Sequence, residues 1–199
     1  MFRKLGFTMI ELLIVIAVLG ILAVAVLAAI NPIEQINRGK DTGSRSDSEQ
    51  LLSAIDRFYA GKGYYPWTTG ASSVNTTTYV GAPAFVQLTS AAQTVGTDAE
   101  PMLSNLSTGG TSELKASFVT RVVDATYNYM SIYNNGVSGS STYVCFTPKS
   151  ASFREEAWRR CTSASGLPVD FPAAGCPAGA TCAGAATADA ATGCYICLP

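Results

Sequence analysis

The chain has 199 residues, a formal net charge of −1 from 13 Lys and Arg against 14 Asp and Glu, no histidine and six cysteines. That balance argues against a nucleic-acid surface, which rests on clustered Lys and Arg, and the missing histidine withdraws the commonest base from any serine or cysteine nucleophile. With 48% hydrophobic and only 14% charged residues, the composition points to an apolar segment plus one modest domain.

The apolar segment comes first. Arg3 and Lys4 precede Gly6-Phe7-Thr8, a single carboxylate at Glu11, and nineteen uncharged residues at positions 12–30. At a helical rise of about 1.5 Å per residue that run spans about 28 Å, close to the hydrocarbon thickness of a bilayer. Basic residues ahead of the run place the N-terminus in the cytoplasm and the bulk of the chain outside. The plainer alternative is a secretory signal peptide cut near Ala28-Ala29, but the run exceeds the usual ~7–15 residue apolar core and carries Glu11 near its start. A charge in hydrocarbon costs about 2.5–3.5 kcal/mol even on lenient scales, so Glu11 needs a function and a cationic partner. No cation lies in the span.

Lys4-Leu5-Gly6-Phe7-Thr8-Met9-Ile10-Glu11-Leu12-Leu13-Ile14-Val15-Ile16 resembles the processing and assembly signature of the type IV pilin superfamily, which includes secretion and competence pseudopilins. The resemblance covers residues 3–30 well and 33–66 more loosely. It implies that a prepilin peptidase cuts between Gly6 and Phe7 and methylates the new amine of Phe7. It also implies a helical homo-oligomeric filament, with an assembly platform and an ATPase motor as indirect partners and membrane lipid around the subunit before assembly. The cut would put a positive amine four residues from Glu11. If the amine of one subunit meets Glu11 of the next, both charges are neutralised where the dielectric is low, and the stagger of the subunits is set.

Asn31-Pro32 closes the span, since proline kinks a helix or opens a new one. Ile33 and Ile36, then Leu51, Leu52, Ile55, Phe58 and Tyr59, read as a resumed helix. Residues 37–50 break the apolar pattern and contain Gly39 and Gly43, so flexible or fraying helix is expected there. The resemblance favours one continuous helix packed on a sheet. Gly61-Lys62-Gly63-Tyr64-Tyr65-Pro66-Trp67 ends it and resembles the helix-exit segment of small pilins and pseudopilins.

Residues 68–110 are rich in Ser, Thr, Gly and Ala, and long loops are expected, with room for a helical piece after Ala82-Pro83. Phe118-Val119 through Val122-Val123, and residues 127–133, bring the β-branched and aromatic side chains of strands. Asn134-Asn135-Gly136 turns the chain, and Thr142-Tyr143-Val144-Cys145-Phe146-Thr147 returns as the hairpin partner. A short helix opens at Ser152 with a capping-box pattern. The basic group Arg154, Arg159 and Arg160, flanked by Glu155 and Glu156, reads as its solvated face.

Cys145, Cys161, Cys176, Cys182, Cys194 and Cys197 all lie in the last third. An exported location makes disulfides the default; fifteen pairings are open, and Cys145 with Cys161 and Cys176 with Cys182 are favoured. A zinc site from Cys176, Cys182, Cys194 and Cys197 is the weaker alternative, because only Cys194 and Cys197 have half-site spacing. The acids Asp98, Glu100, Glu113, Asp124, Asp170 and Asp189 show no spacing that defines a site and read as surface charge. Tyr64, Tyr65, Trp67 and Trp158 suit an adhesive surface, though buried packing is the commoner use.

The expected fold is α+β: a long N-terminal helix on a small antiparallel sheet, pilin-like, with a Cys-rich tail. The expected segments are a leader at 1–6, a membrane and assembly helix at 7–30, an amphipathic extension at 31–62, and an exported domain at 63–199 whose tail is 161–199. The expected function is that of a filament subunit of a pilus or secretion pseudopilus, with no enzyme activity, cofactor or metal. A membrane-anchored adhesion or binding domain that does not polymerise is the alternative.

Overall fold

The computed structural model describes residues 6–29, 31–68, 70, 82–95, 101–108, 112–124, 126–128, 130–137, 139–162, 166–176 and 193–199. The chain divides into two compact units, Met1–Ile36 and Asn37–Pro199.

In the first unit, α1 (Met9–Ala29) is apolar on every side, so no face of it is marked for a protein core. Helix α2 (Pro32–Lys62) begins one residue after Asn31. The Asn31 side chain accepts the Glu34 N–H at 3.3 Å and Pro32 takes the first helical position, where its missing N–H costs nothing.

The second unit is built on α2 from Asn37 onward and a four-stranded antiparallel meander. Strand β1 (Val86–Gln87) pairs with β2 (Met130–Asn134), β2 with β3 (Thr142–Phe146), and β3 with β4 (Ile196–Leu198). The sheet alternates as its sequence does. Met130, Ile132, Val144, Phe146 and Ile196 join Leu51, Ile55 and Phe58 of α2 in one buried cluster, while Tyr143, Cys145, Tyr195 and Cys197 form a second cluster with Phe85, Tyr133 and Phe171 on the opposite face. The hairpin expected from residues 127–133 and 142–147 is present. Its register runs from Met130 opposite Phe146 to Asn134 opposite Thr142. Tyr129 lies outside the described residues.

Helix α2 stays regular through residues 37–50, where fraying was expected. Its inner face there is polar: Asp41, Ser44, Asp47 and Ser48 are buried, and the stripe continues as Leu51, Leu52, Ala54, Ile55 and Phe58. The period is helical throughout, but half of it is written in hydrogen-bonding residues. Asp41 accepts from the Asn128 side-chain amide at 2.8 Å, the Lys149 N–H at 2.9 Å and the Ser150 N–H at 2.7 Å. Asp47 takes Arg121 through both oxygens, at 2.6 and 3.2 Å, and the Tyr127 hydroxyl at 3.0 Å. Gly43 makes room for that hydroxyl, because a Cβ at this position would lie 2.9 Å from it. The helix ends where glycine allows, with Gly63 at φ +76° donating its N–H to the Tyr59 carbonyl at 2.7 Å. Tyr59, Tyr65 and the fully buried Trp67 then stack in series at 4.6 and 4.4 Å.

Three local expectations are corrected. Residues 118–122 are not a strand but part of α4 (Ala116–Val122), which follows α3 (Met102–Ser107) and buries Phe118, Val119 and Val122 at i, i+1 and i+4 on one helix face. The segment after Ala82-Pro83 is not helical; it holds β1, whose Val86 pairs with Ile132. Helix α5 (Ala151–Cys161) is capped by Ser150, whose hydroxyl accepts the Phe153 N–H, two residues earlier than expected.

The favoured disulfide pairings are also corrected: Cys145 is bonded to Cys197 and Cys161 to Cys176. Cys145 and Cys197 sit opposite each other on β3 and β4, so strand register brings them together. Cys161, at the end of α5, meets Cys176 just after a 3-10 turn at Ala173–Gly175. Cys194 is disulfide-bonded as well, and Cys182 lies outside the described residues.

Candidate processing and assembly segment

Gly6, Phe7 and Thr8 lead into α1 with no buried contact. Thr8 and Glu11 form a reciprocal capping box: the Glu11 Oε2 accepts the Thr8 N–H at 2.9 Å and the Thr8 hydroxyl at 2.7 Å, while the Thr8 hydroxyl oxygen accepts the Glu11 N–H at 3.3 Å. The sequence signal for this box is the spacing Thr-x-x-Glu ahead of an apolar run, which the expectation of a distant cation does not include. It changes the account of Glu11, whose carboxylate has local donors before any external cation arrives. A negative group in the first turn also complements the helix dipole.

Gly6 itself carries no structural demand, since a Cβ there would meet nothing within 4 Å. Phe7 is 82% exposed. Beyond it Met9, Ile10, Leu12, Ile14, Leu19, Ile21 and Leu22 are all more than half exposed and lie on every side of the helix. Residues 9–27 are long and apolar enough to cross a membrane.

Residues 1–27 match the model of the prokaryotic N-terminal methylation motif. The N-terminal segment carries the type IV pilin and pseudopilin signal. The motif and the apolar helix together fit a membrane-anchored single-pass protein. Neither the curated proteins nor the solved structures gave a match to the chain.

Outside the pilin-type segment, the candidate residues take structural places. Glu113 pairs with Arg57 at 2.7 Å, and Asp124 accepts the N–H and hydroxyl of Thr126 in a local turn. Asp98, Glu100 and Asp189 lie outside the described residues. Asp170 is more than surface charge: it accepts the Ser141 N–H at 2.7 Å and the Tyr143 hydroxyl at 3.0 Å. The Ser141 N–H, helped by Tyr143, holds its carboxyl below the usual range against an opposing effect of burial, and burial followed by the Asp170 bond pushes the Tyr143 phenol up. Arg160 is not simply solvated, because its guanidinium donates to the Cys197 carbonyl. With Arg159, Tyr143, Leu167 and Phe171 it lines a cleft of about 500 Å³.

Among the described residues no three His, Cys, Asp or Glu side chains converge as metal ligands. Cys194 and Cys197, the zinc half-site alternative, are both oxidised, which leaves no thiolate to ligate. Of the aromatic candidates, Trp67 is buried, Tyr64 and Tyr65 pack against the core, and Trp158 is exposed.

Proposed function

We propose that the chain is a structural subunit of a type IV pilus-like or type II secretion pseudopilus filament. It is made as a single-span precursor with its N-terminus in the cytoplasm, cut between Gly6 and Phe7, N-methylated on Phe7, and assembled outside the membrane through α1. The observation that carries this reading is a methylation motif running directly into a helix with apolar side chains exposed all round. Such a helix needs hydrocarbon before assembly and other copies of itself afterwards.

In this reading Glu11 does two things. Its Oε2 closes the capping box with Thr8, and its other oxygen receives the Phe7 amine of a neighbouring subunit, fixing the stagger between copies. Peptidase, platform and motor are the partners, and the chain performs no catalysis of its own. Replacing Glu11 with Ala is expected to leave membrane insertion intact and to remove the subunit from filaments sheared from its host; undiminished incorporation would sink the amine-carboxylate account.

One observation favours a second reading, a membrane-anchored binding domain that does not polymerise. The Thr8 donors already satisfy part of the Glu11 carboxylate within one chain, so a neighbour's amine is not required to explain an acid at that depth. The wild-type chain decides, because an anchor that does not polymerise is absent from filaments sheared from its host.

A further inference from the structure

Among the described residues the sheet ends in two short strands, with two residues in β1 and three in β4. A sheet edge presents unpaired N–H and C=O groups to any strand that approaches. On β1 the Leu88 N–H turns inward to the Met130 carbonyl at 2.8 Å, so by strand alternation Gln87 and Thr89 turn outward. One side chain takes both. Gln93 Nε2 donates to the Gln87 carbonyl at 2.7 Å, and its Oε1 accepts the Thr89 N–H at 2.7 Å. A single carboxamide stands where the peptide unit of a fifth strand would stand.

The opposite edge is closed by different means. Just before β4 the Tyr195 N–H donates to the Gly175 carbonyl at 2.9 Å, and within β4 the Cys197 carbonyl accepts from the Arg160 guanidinium. Gly175 comes close enough that a Cβ would lie 3.0 Å from Cys197 Sγ.

We propose that Gln93 and Arg160 are edge plugs, which fill the outward Gln87 carbonyl and Thr89 N–H beside β1 and the outward Cys197 carbonyl of β4 and hinder a second copy of this chain from adding its strands to the sheet. The plugs direct self-association away from the sheet. Both plugs belong to the sheet and are independent of filament assembly. Two edges, unrelated in sequence, have their outward carbonyls filled by side chains from outside the sheet, at Gln87 and at Cys197.

The test compares the full chain in detergent micelles with Gln93→Met combined with Arg160→Met; the first keeps side-chain length, the second shortens it, and together they remove the groups that bond the two edges. The readouts are mass by light scattering across a concentration series and the amide I band of intermolecular strands. The double variant is expected to associate at about tenfold lower protein concentration than wild type, as for two freed hydrogen-bonding edges, with growth of that band. A mass distribution equal to wild type, in a variant with wild-type circular dichroism, overturns the proposal. If the double variant does not fold, Gln93→Met alone is read by amide exchange at Thr89 in dilute, unassociated protein and by mass on concentration: faster exchange when dilute with increased association when concentrated supports the plug, and association equal to wild type overturns it.

Discussion

Asp41 of α2 accepts the backbone N–H of Ser150 at 2.7 Å across 109 residues of chain. In an ordinary capping box that N–H is bonded by a Glu or Gln at the third helical position; α5 has Phe153 there, and an acid from another helix supplies the missing acceptor. The same carboxylate takes the Lys149 N–H, the Ser150 hydroxyl and the Asn128 amide, which ties α2 to the start of α5 and the entry to β2. Asp41→Ala would strand these buried donors and is expected to cost about 3–5 kcal/mol. The check is the denaturation midpoint of the full chain in detergent, and an unchanged midpoint would remove Asp41 from this role.

The Gly43 and Tyr127 pair gives a prediction with a sign change. Alanine in a helix gains about 1 kcal/mol over glycine, but at position 43 it would displace the Tyr127 hydroxyl from Asp47, a bond worth about 1 kcal/mol. Gly43→Ala is therefore expected to be neutral or destabilising alone and stabilising in a Tyr127→Phe background. A double-mutant cycle reads the coupling directly, and additive effects would contradict the packing described.

The disulfides predict linked peptides joining Cys145 to Cys197 and Cys161 to Cys176 in a non-reducing digest. The first closes a separation of 52 residues, so replacing both of its cysteines with Ser is expected to cost about 4 kcal/mol in the chain-entropy account. Peptides linking Cys145 to Cys161 would contradict the strand register itself.

Acid should weaken the fold partly through Asp170. Its folded-state value is held below the unfolded one, so its contribution is complete above about pH 4 and is lost as pH falls through the folded value. Asp170→Asn is expected to be less stable than wild type at neutral pH, with the gap narrowing toward pH 2. Urea midpoints across that range test it; a constant gap would mean that ionisation of Asp170 is not involved.

The anchor and the sheet were legible because each is written in apolar residues with a clear period or length. Residues 12–30 are an unbroken uncharged run long enough to span a bilayer, and Tyr143-Val144-Cys145-Phe146 reads as a strand with two covered faces. The first half of α2 was hidden because its inner face is Asp41, Ser44, Asp47 and Ser48, whose partners are supplied only by the fold. Hydrophobic periodicity is blind to a stripe that is buried by hydrogen bonding. Phe118-Val119 misled for the opposite reason, since two short apolar pairs fit a strand or a helical turn equally well, and burial on one helix face decided it. The cysteine pairing depended on strand register between β3 and β4, which no spacing in the chain encodes. At the N-terminus, the Thr8 to Glu11 capping box is written locally as Thr-x-x-Glu and gives Glu11 donors within its own chain, whatever cation it meets.

The central claim is the cut between Gly6 and Phe7, and the most direct measurement is intact mass with N-terminal peptide mapping of the protein recovered from its native host. The account predicts a chain beginning at N-methylated Phe7. A chain that retains residues 1–6, or one that begins near Ala29, would contradict it.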